Sequence, residues 1–195
     1  MADEKPVRSF IAIELPDAVK LELTTLQAKL AVEPAAGIKW VAPQGIHLTL
    51  KFLGWVQPNR IDEIKAAIAA AVTPLAPFGL GISGLGGFPN LRRLDVVWCG
   101  LTGDLSSLIE LQQAIEKHVS PLGFPTEKRA FSPHLTLARL REDVDPEARQ
   151  SLATKVAATK FEPGLAISVD SISLMRSTLL PSGAVYDCMG CFPFA

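Results

Sequence analysis

The tetrapeptide His-Leu-Thr-Leu occurs twice, at residues 47–50 and 134–137, in a chain with only three histidines. Given the leucine and threonine content, a histidine is followed by Leu-Thr-Leu about once in a thousand times by chance, so two of three mark a repeated structural unit. Each copy alternates polar and apolar residues, the period of a half-buried β-strand. The approaches are alike too: Lys39-Trp40-Val41 and a proline precede His47, and Lys128-Arg129-Ala130-Phe131 and Pro133 precede His134. One strand motif in each half of the chain predicts two pseudo-symmetric lobes facing a common cleft.

Other periodicities predict how the lobes are built. Residues 7–15 form an apolar, β-branched-rich run that stops at Pro16 and reads as a buried strand. Val19, Leu23, Leu26 and Leu30 then recur at helical spacing behind Asp17. Residues 46–53 read as a strand closed by Gly54, and Ile61, Ile64, Ile68 and Val72 predict a helix over 60–73 that stops before Pro74. Residues 78–85 and 94–101 read as a strand pair around the turn-rich Gly86-Gly87-Phe88-Pro89-Asn90. The second half predicts a helix over 104–119, a strand over 131–140, a helix from Asp145-Pro146, and strands over 166–175 and 184–189. Amphipathic helices among antiparallel-capable strands, with no glycine-rich phosphate loop, argue an α+β fold. The expectation is one bilobal domain over 1–195, with mainly antiparallel strands and flanking helices around a central cleft.

At 195 residues, 48% hydrophobic and 20% charged, the chain can bury the core of such a domain. A net charge of -1 and a pI near 6.3 offer no general attraction to nucleic acid, so any RNA must meet a local basic patch. Residues 1–9 are mixed in charge, and no run approaches the roughly 18–20 apolar residues of a membrane span. No membrane contact and a cytoplasmic location are expected. Cys99, Cys188 and Cys191 cannot all pair, so free thiols are expected; Cys188-x-x-Cys191, without a second such pair, reads as buried thiols on a C-terminal strand.

On a strand, His47 and Thr49 share one face while Leu48 and Leu50 take the other, and the second copy repeats this with His134 and Thr136. Two imidazoles and two hydroxyls on one cleft suit a phosphodiester. The hydroxyls can donate to non-bridging oxygens, and the imidazoles, with an ordinary pKa near 6.5, can make the two proton transfers. Arg139 could stabilise transition-state charge, but its odd offset from His134 requires a twist or a bulge to reach the same face. A zinc site would need further ligands, and neither motif contains a carboxylate. His118, at the end of a helix and outside any motif, reads as structural or surface.

These residues resemble the 2H phosphoesterases, and within them the RNA 2',3'-cyclic phosphodiesterases historically called 2'-5' RNA ligases. The resemblance covers Arg8 to Ile13, Ile46 to Gly54, Gly84 to Pro89 with Arg92 and Val97-Trp98, Phe131 to Arg139, and Leu174 through Arg176-Ser177 to Tyr186. It implies hydrolysis of an RNA 2',3'-cyclic phosphate end to a 2'-phosphomonoester, with no metal or organic cofactor. It implies His47 as proton donor, His134 as proton acceptor, Thr49, Thr136 and Arg139 as phosphate-binding residues, and Phe131 as a base-stacking candidate. The expected partner is an RNA end, on transfer-RNA fragments or short oligonucleotides, met by a monomer. Ligation through a 2'-5' bond and non-catalytic binding of RNA ends are the alternatives.

Overall fold

β1 (Val7–Glu14) is apolar on both faces, and both faces are covered. Ile11 and Ile13 enter the main core beneath the helices, whereas Phe10 and Ala12 join Met175 and Tyr186 in a smaller cluster on the opposite face. Burial on both sides explains why this run lacks alternation. The computed structural model describes residues 5–180 and 183–195. After β1 come α1 (Asp17–Leu30), β2 (Ile38–Trp40), β3 (His47–Val56), α2 (Ile61–Val72), β4 (Phe78–Asn90) and β5 (Arg93–Gly103). The second half follows with α3 (Leu105–Val119), β6 (Leu135–Leu140), α4 (Pro146–Ala158), β7 (Ala166–Val169), β8 (Ser171–Leu180) and β9 (Gly183–Pro193).

Among the described residues the strands form one nine-stranded antiparallel sheet in the order β7-β4-β5-β6-β3-β1-β8-β9, with β2 beside β6. The two motif strands, β6 and β3, are its middle pair, and each is the innermost strand of its half. α2 packs on α3, and these lie against β9 and β3; α4 packs on α1 and lies against β4 and β5. The arrangement is the expected α+β fold, an antiparallel sheet with four helices. Helix starts follow sequence chemistry: the Asp104 carboxylate accepts from the Ser107 N–H, and that of Asp145 from the Glu147 and Ala148 N–H groups.

Several boundaries differ from expectation, each for a local reason. Gly86 to Asn90 does not turn but completes β4; the turn follows, where Asn90 Oδ1 accepts from the backbone N–H groups of Arg92 and Arg93 at 3.0 Å each. The two glycines serve close packing instead, because a Cβ at Gly86 would overlap the Trp98 ring and one at Gly87 would overlap Leu94. Gly54 does not close β3. With φ of +73° it adjoins a bulge opposite Ser9 and Phe10, and the strand continues to Val56.

β6 begins at Leu135 rather than 131, since Pro133 has no N–H for a ladder, and His134 sits immediately before the strand. The run 166–175 divides at Asp170, where β7 leaves to pair with β4 while β8 pairs with β1. Cys188 and Cys191 are exposed on β9, not buried. β9 is an edge strand, and a bulge opposite Leu174 and Met175 aligns Cys188 with Met175 and Cys191 with Ser173. Cys99 is the buried cysteine, and burial pushes its thiol up to about 12. Among the described residues no helix is long and apolar enough to cross a membrane.

Candidate active site

The motif strands meet at one ladder pair, Leu48 with Leu135. Antiparallel register through that pair brings His47 level with Thr136 and Thr49 level with His134. Leu48, Leu50, Leu135 and Leu137 are at most 3% exposed in the main core. The opposite face therefore carries two imidazoles and two hydroxyls, all half-buried.

Each imidazole is held in the same way. His47 Nδ1 lies 2.8 Å from the Gly45 carbonyl oxygen, and His134 Nδ1 lies 2.7 Å from that of Ser132. A carbonyl only accepts, so both Nδ1 atoms donate and both Nε2 atoms are left for the cleft. A 3-10 turn at Pro43–Gly45 presents the first carbonyl, and the Ser132-Pro133 dipeptide presents the second. Aromatic rings fix the flanks. Phe10 stacks on His47 at 4.6 Å between centroids and Tyr186 meets it edge-on at 5.0 Å; Phe88 meets His134 edge-on at 4.9 Å and packs on Trp98 at 5.5 Å.

Burial among these rings lowers His47 from 6.5 to about 4. The Gly45 hydrogen bond and the Glu14 carboxylate oppose that shift, and the charge of Arg139 adds to it. Glu14 is the ladder partner of His47, and its Oε1 accepts from Ser173 Oγ at 2.6 Å. Because the folded chain disfavours charged His47, the group contributes stability above about pH 6.5 and loses it as the pH falls toward about 4. The gap between those values bounds the contribution at about 3 kcal/mol. Urea unfolding between about pH 7 and about pH 4 should therefore show His47→Gln, whose amide can still donate to Gly45, losing less stability than the wild type by up to that amount. Parallel losses in the two proteins would mean that water already reaches the His47 ring.

Arg139 would face away from His134 on a regular strand. In β6, however, Thr136 pairs with Trp98 and Ala138 with Val97, so Leu137 is the extra residue of a β-bulge. Leu137 and Ala138 both turn into the core, and exposed Arg139 comes to the histidine face, where its charge acts on His47. β3 repeats the device: Thr49 pairs with Ala12 and Lys51 with Ile11, so Leu50 is extra, Lys51 is buried, and Phe52 emerges at the position equivalent to Arg139. Gln27 on α1 clamps the β6 bulge, its Nε2 donating to the Leu137 carbonyl at 2.9 Å and the Val41 carbonyl at 2.8 Å.

Phe131 is half-buried and packs against the main core. His118 Nδ1 lies 2.8 Å from the Ala114 carbonyl on α3, away from any motif. Glu14 and Gln27 gave no sequence signal of their place here, and although Phe10, Phe88 and Tyr186 lie in segments that carry the resemblance, nothing in the sequence set them beside the histidines. The tethering carbonyls had one, in the proline that shortly precedes each histidine. Among the described residues no group of three or more His, Cys, Asp or Glu side chains is arranged to hold a metal ion.

A family model described as the 2'-5' RNA ligase superfamily matches residues 15–179, a span containing both motifs. The chain belongs to that superfamily. An RNA 2',3'-cyclic phosphodiesterase of Methanothermobacter thermautotrophicus is 31% identical over 186 residues, covering 95% of this chain and 98% of the relative. The crystal structure of TT0787 of Thermus thermophilus superposes with a TM-score of 0.79 at 30% identity, covering 96% of this chain and 97% of that one. E. coli LigT in apo form shares the fold, with a TM-score of 0.77 at 24% identity over 98% of this chain and 99% of that one. This member of the superfamily thus carries both of its own His-x-Thr segments inside the matched span.

Proposed function

We propose that this member of the 2'-5' RNA ligase superfamily is a metal-independent RNA 2',3'-cyclic phosphodiesterase that opens the terminal cyclic phosphate to a 2'-phosphomonoester. The observation that carries the reading is the pair of imidazoles on one face, each with Nδ1 tied to a carbonyl and each level with a threonine of the other strand. Hydrolysis of a phosphodiester needs one group to take a proton and one to give it, and two free Nε2 atoms supply both. The name shared by relatives that are about 30% identical over most of the chain supports the substrate class.

In this reading a water oxygen bonds to phosphorus as the bond from phosphorus to the 3' oxygen breaks. Neutral His134 accepts the water proton, protonated His47 donates to the leaving 3' oxygen, and the phosphate stays on the 2' oxygen. Thr49 and Thr136 donate to non-bridging oxygens, and Arg139 stabilises the charge that spreads over them. Burial keeps His47 neutral in the empty cleft, so the negative charge of the bound phosphate has to draw the proton onto it. Ligation through a 2'-5' bond is the reverse passage through the same site, and excess water favours hydrolysis. One bilobal domain acting as a monomer suffices for an RNA end, whether on an oligonucleotide or a transfer-RNA fragment. Its unpaired cysteines fit the reducing cytoplasm.

Phosphorus NMR of a short RNA with a 2',3'-cyclic end, incubated with the protein and excess chelator, tests this. The expected result is a 2'-phosphate signal replacing that of the cyclic ester. A 3'-phosphate product would overturn the regiochemistry, abolition by chelator the metal independence, and an unchanged cyclic ester the reaction itself.

A further inference from the structure

A series of contacts leads out of the cleft along β3 and β1. Phe10, stacked on His47, also packs on Phe52 at 6.0 Å. The Arg8 guanidinium lies 5.9 Å from the centroid of the Phe52 ring, and its Nη1 donates to Ser177 Oγ at 3.0 Å. Arg8 is in turn the ladder partner of Trp55. Cross-strand partners share a face, so Phe52 and Trp55 follow His47 and Thr49 along one side of β3, beside Phe10 and Arg8 on β1. The bulges at Leu50 and Leu53 keep them on that side.

Phe52 is 53% exposed and Trp55 is 68% exposed. Two largely exposed aromatic side chains, with a guanidinium over one and cross-strand from the other, are the components of a single-stranded nucleic-acid site, in which bases stack on the rings and the cation meets a phosphate. Among the described residues of β1, β3, β8 and β9, the carboxylates do not oppose such a ligand there. Glu14 stands at the His47 end of β1, and Asp187 is paired with Arg176, whose ladder partner Ser9 belongs to the opposite face.

We propose that Phe52, Arg8 and Trp55 form a track for the nucleotides that precede the cyclic end, which makes the preferred substrate an oligoribonucleotide rather than a mononucleotide; this rests on the phosphodiesterase reading of the cleft. His47 and Trp55 are eight residues apart, at most about 26 Å of strand, so a ligand that engages both is longer than one nucleotide.

The test compares kcat/KM on a mononucleoside 2',3'-cyclic phosphate with that on a short oligoribonucleotide ending in the same group. The wild type should prefer the oligonucleotide about tenfold or more, Trp55→Ala and Arg8→Gln should each cut that preference by about tenfold, and Trp55→Phe should restore most of it. Equal rates on the two substrates, or equal losses on both in the variants, would overturn the track. So would a wild-type dimer that Trp55→Ala dissolves without changing the preference. If neither substrate turns over, the phosphodiesterase reading fails separately. The track is then read from oligoribonucleotide affinity, which weakens in Trp55→Ala if the track exists and is unchanged if it does not.

Discussion

His47→Ala and His134→Ala should each lower kcat on an RNA 2',3'-cyclic end by about 10² to 10⁴-fold, while the affinity for that end changes far less. In the proposed mechanism each ring makes one proton transfer, and the threonines and Arg139 would still bind the phosphate in either variant. The double variant should be little worse than the poorer single one, because half of a proton relay is nearly as idle as none. A better leaving group separates the two roles. With nitrophenolate in place of the ribose 3' oxygen, the donor variant should recover most of its rate, since that group departs without a proton, and the acceptor variant should not. Recovery in His134→Ala instead of His47→Ala would reverse the assignment. Protonation of His47 should place a limb of kcat/KM near pH 4. The absence of a limb near pH 4 would show that the rings around His47 admit water.

The histidine–threonine face was legible because a two-residue period is a local property, and four residues at each motif suffice to state it. Arg139 shows where local reasoning stops. Counting along an ideal strand places it on the wrong face, and the Leu137 bulge that corrects this depends on register against Trp98 and on the clamp from Gln27, partners 39 and 110 residues away in the chain. The same limit applies to Gly86 and Gly87. They read as turn residues until Trp98 and Leu94 on β5 are seen to need the space that a Cβ would fill. Burial of Cys188 and Cys191 was expected because cysteine is small and apolar, but whether a strand lies at the edge of a sheet is decided by topology, and β9 has β8 on one side only.

Lys51→Met should destabilise the protein by about 3–5 kcal/mol. Lys51 follows the first motif and is only 3% exposed, because the Leu50 bulge turns both residues inward. Its Nζ donates to Glu116 Oε2 on α3 at 2.7 Å and to the Pro125 carbonyl at 2.6 Å, and Gln112 Nε2 donates to Glu116 Oε1 at 3.1 Å. Removing the ammonium leaves a buried carboxylate with one amide partner, which is the costly half of breaking such a pair. Removing both charges is different: Lys51→Met with Glu116→Leu should recover most of the loss in urea unfolding, since apolar side chains can fill the same volume without desolvating an ion. A double variant as unstable as the single one would show instead that the ion pair itself stabilises the fold. The second strand already illustrates the neutral solution, with Ala138 buried at the position equivalent to Lys51. What the lysine adds is a tie from the motif strand to α3. If that tie sets the bulge, and with it the direction of Phe52, the double variant should fold well yet lose its preference for oligonucleotides over mononucleotides, separating the placement of the site from the stability of the protein around it.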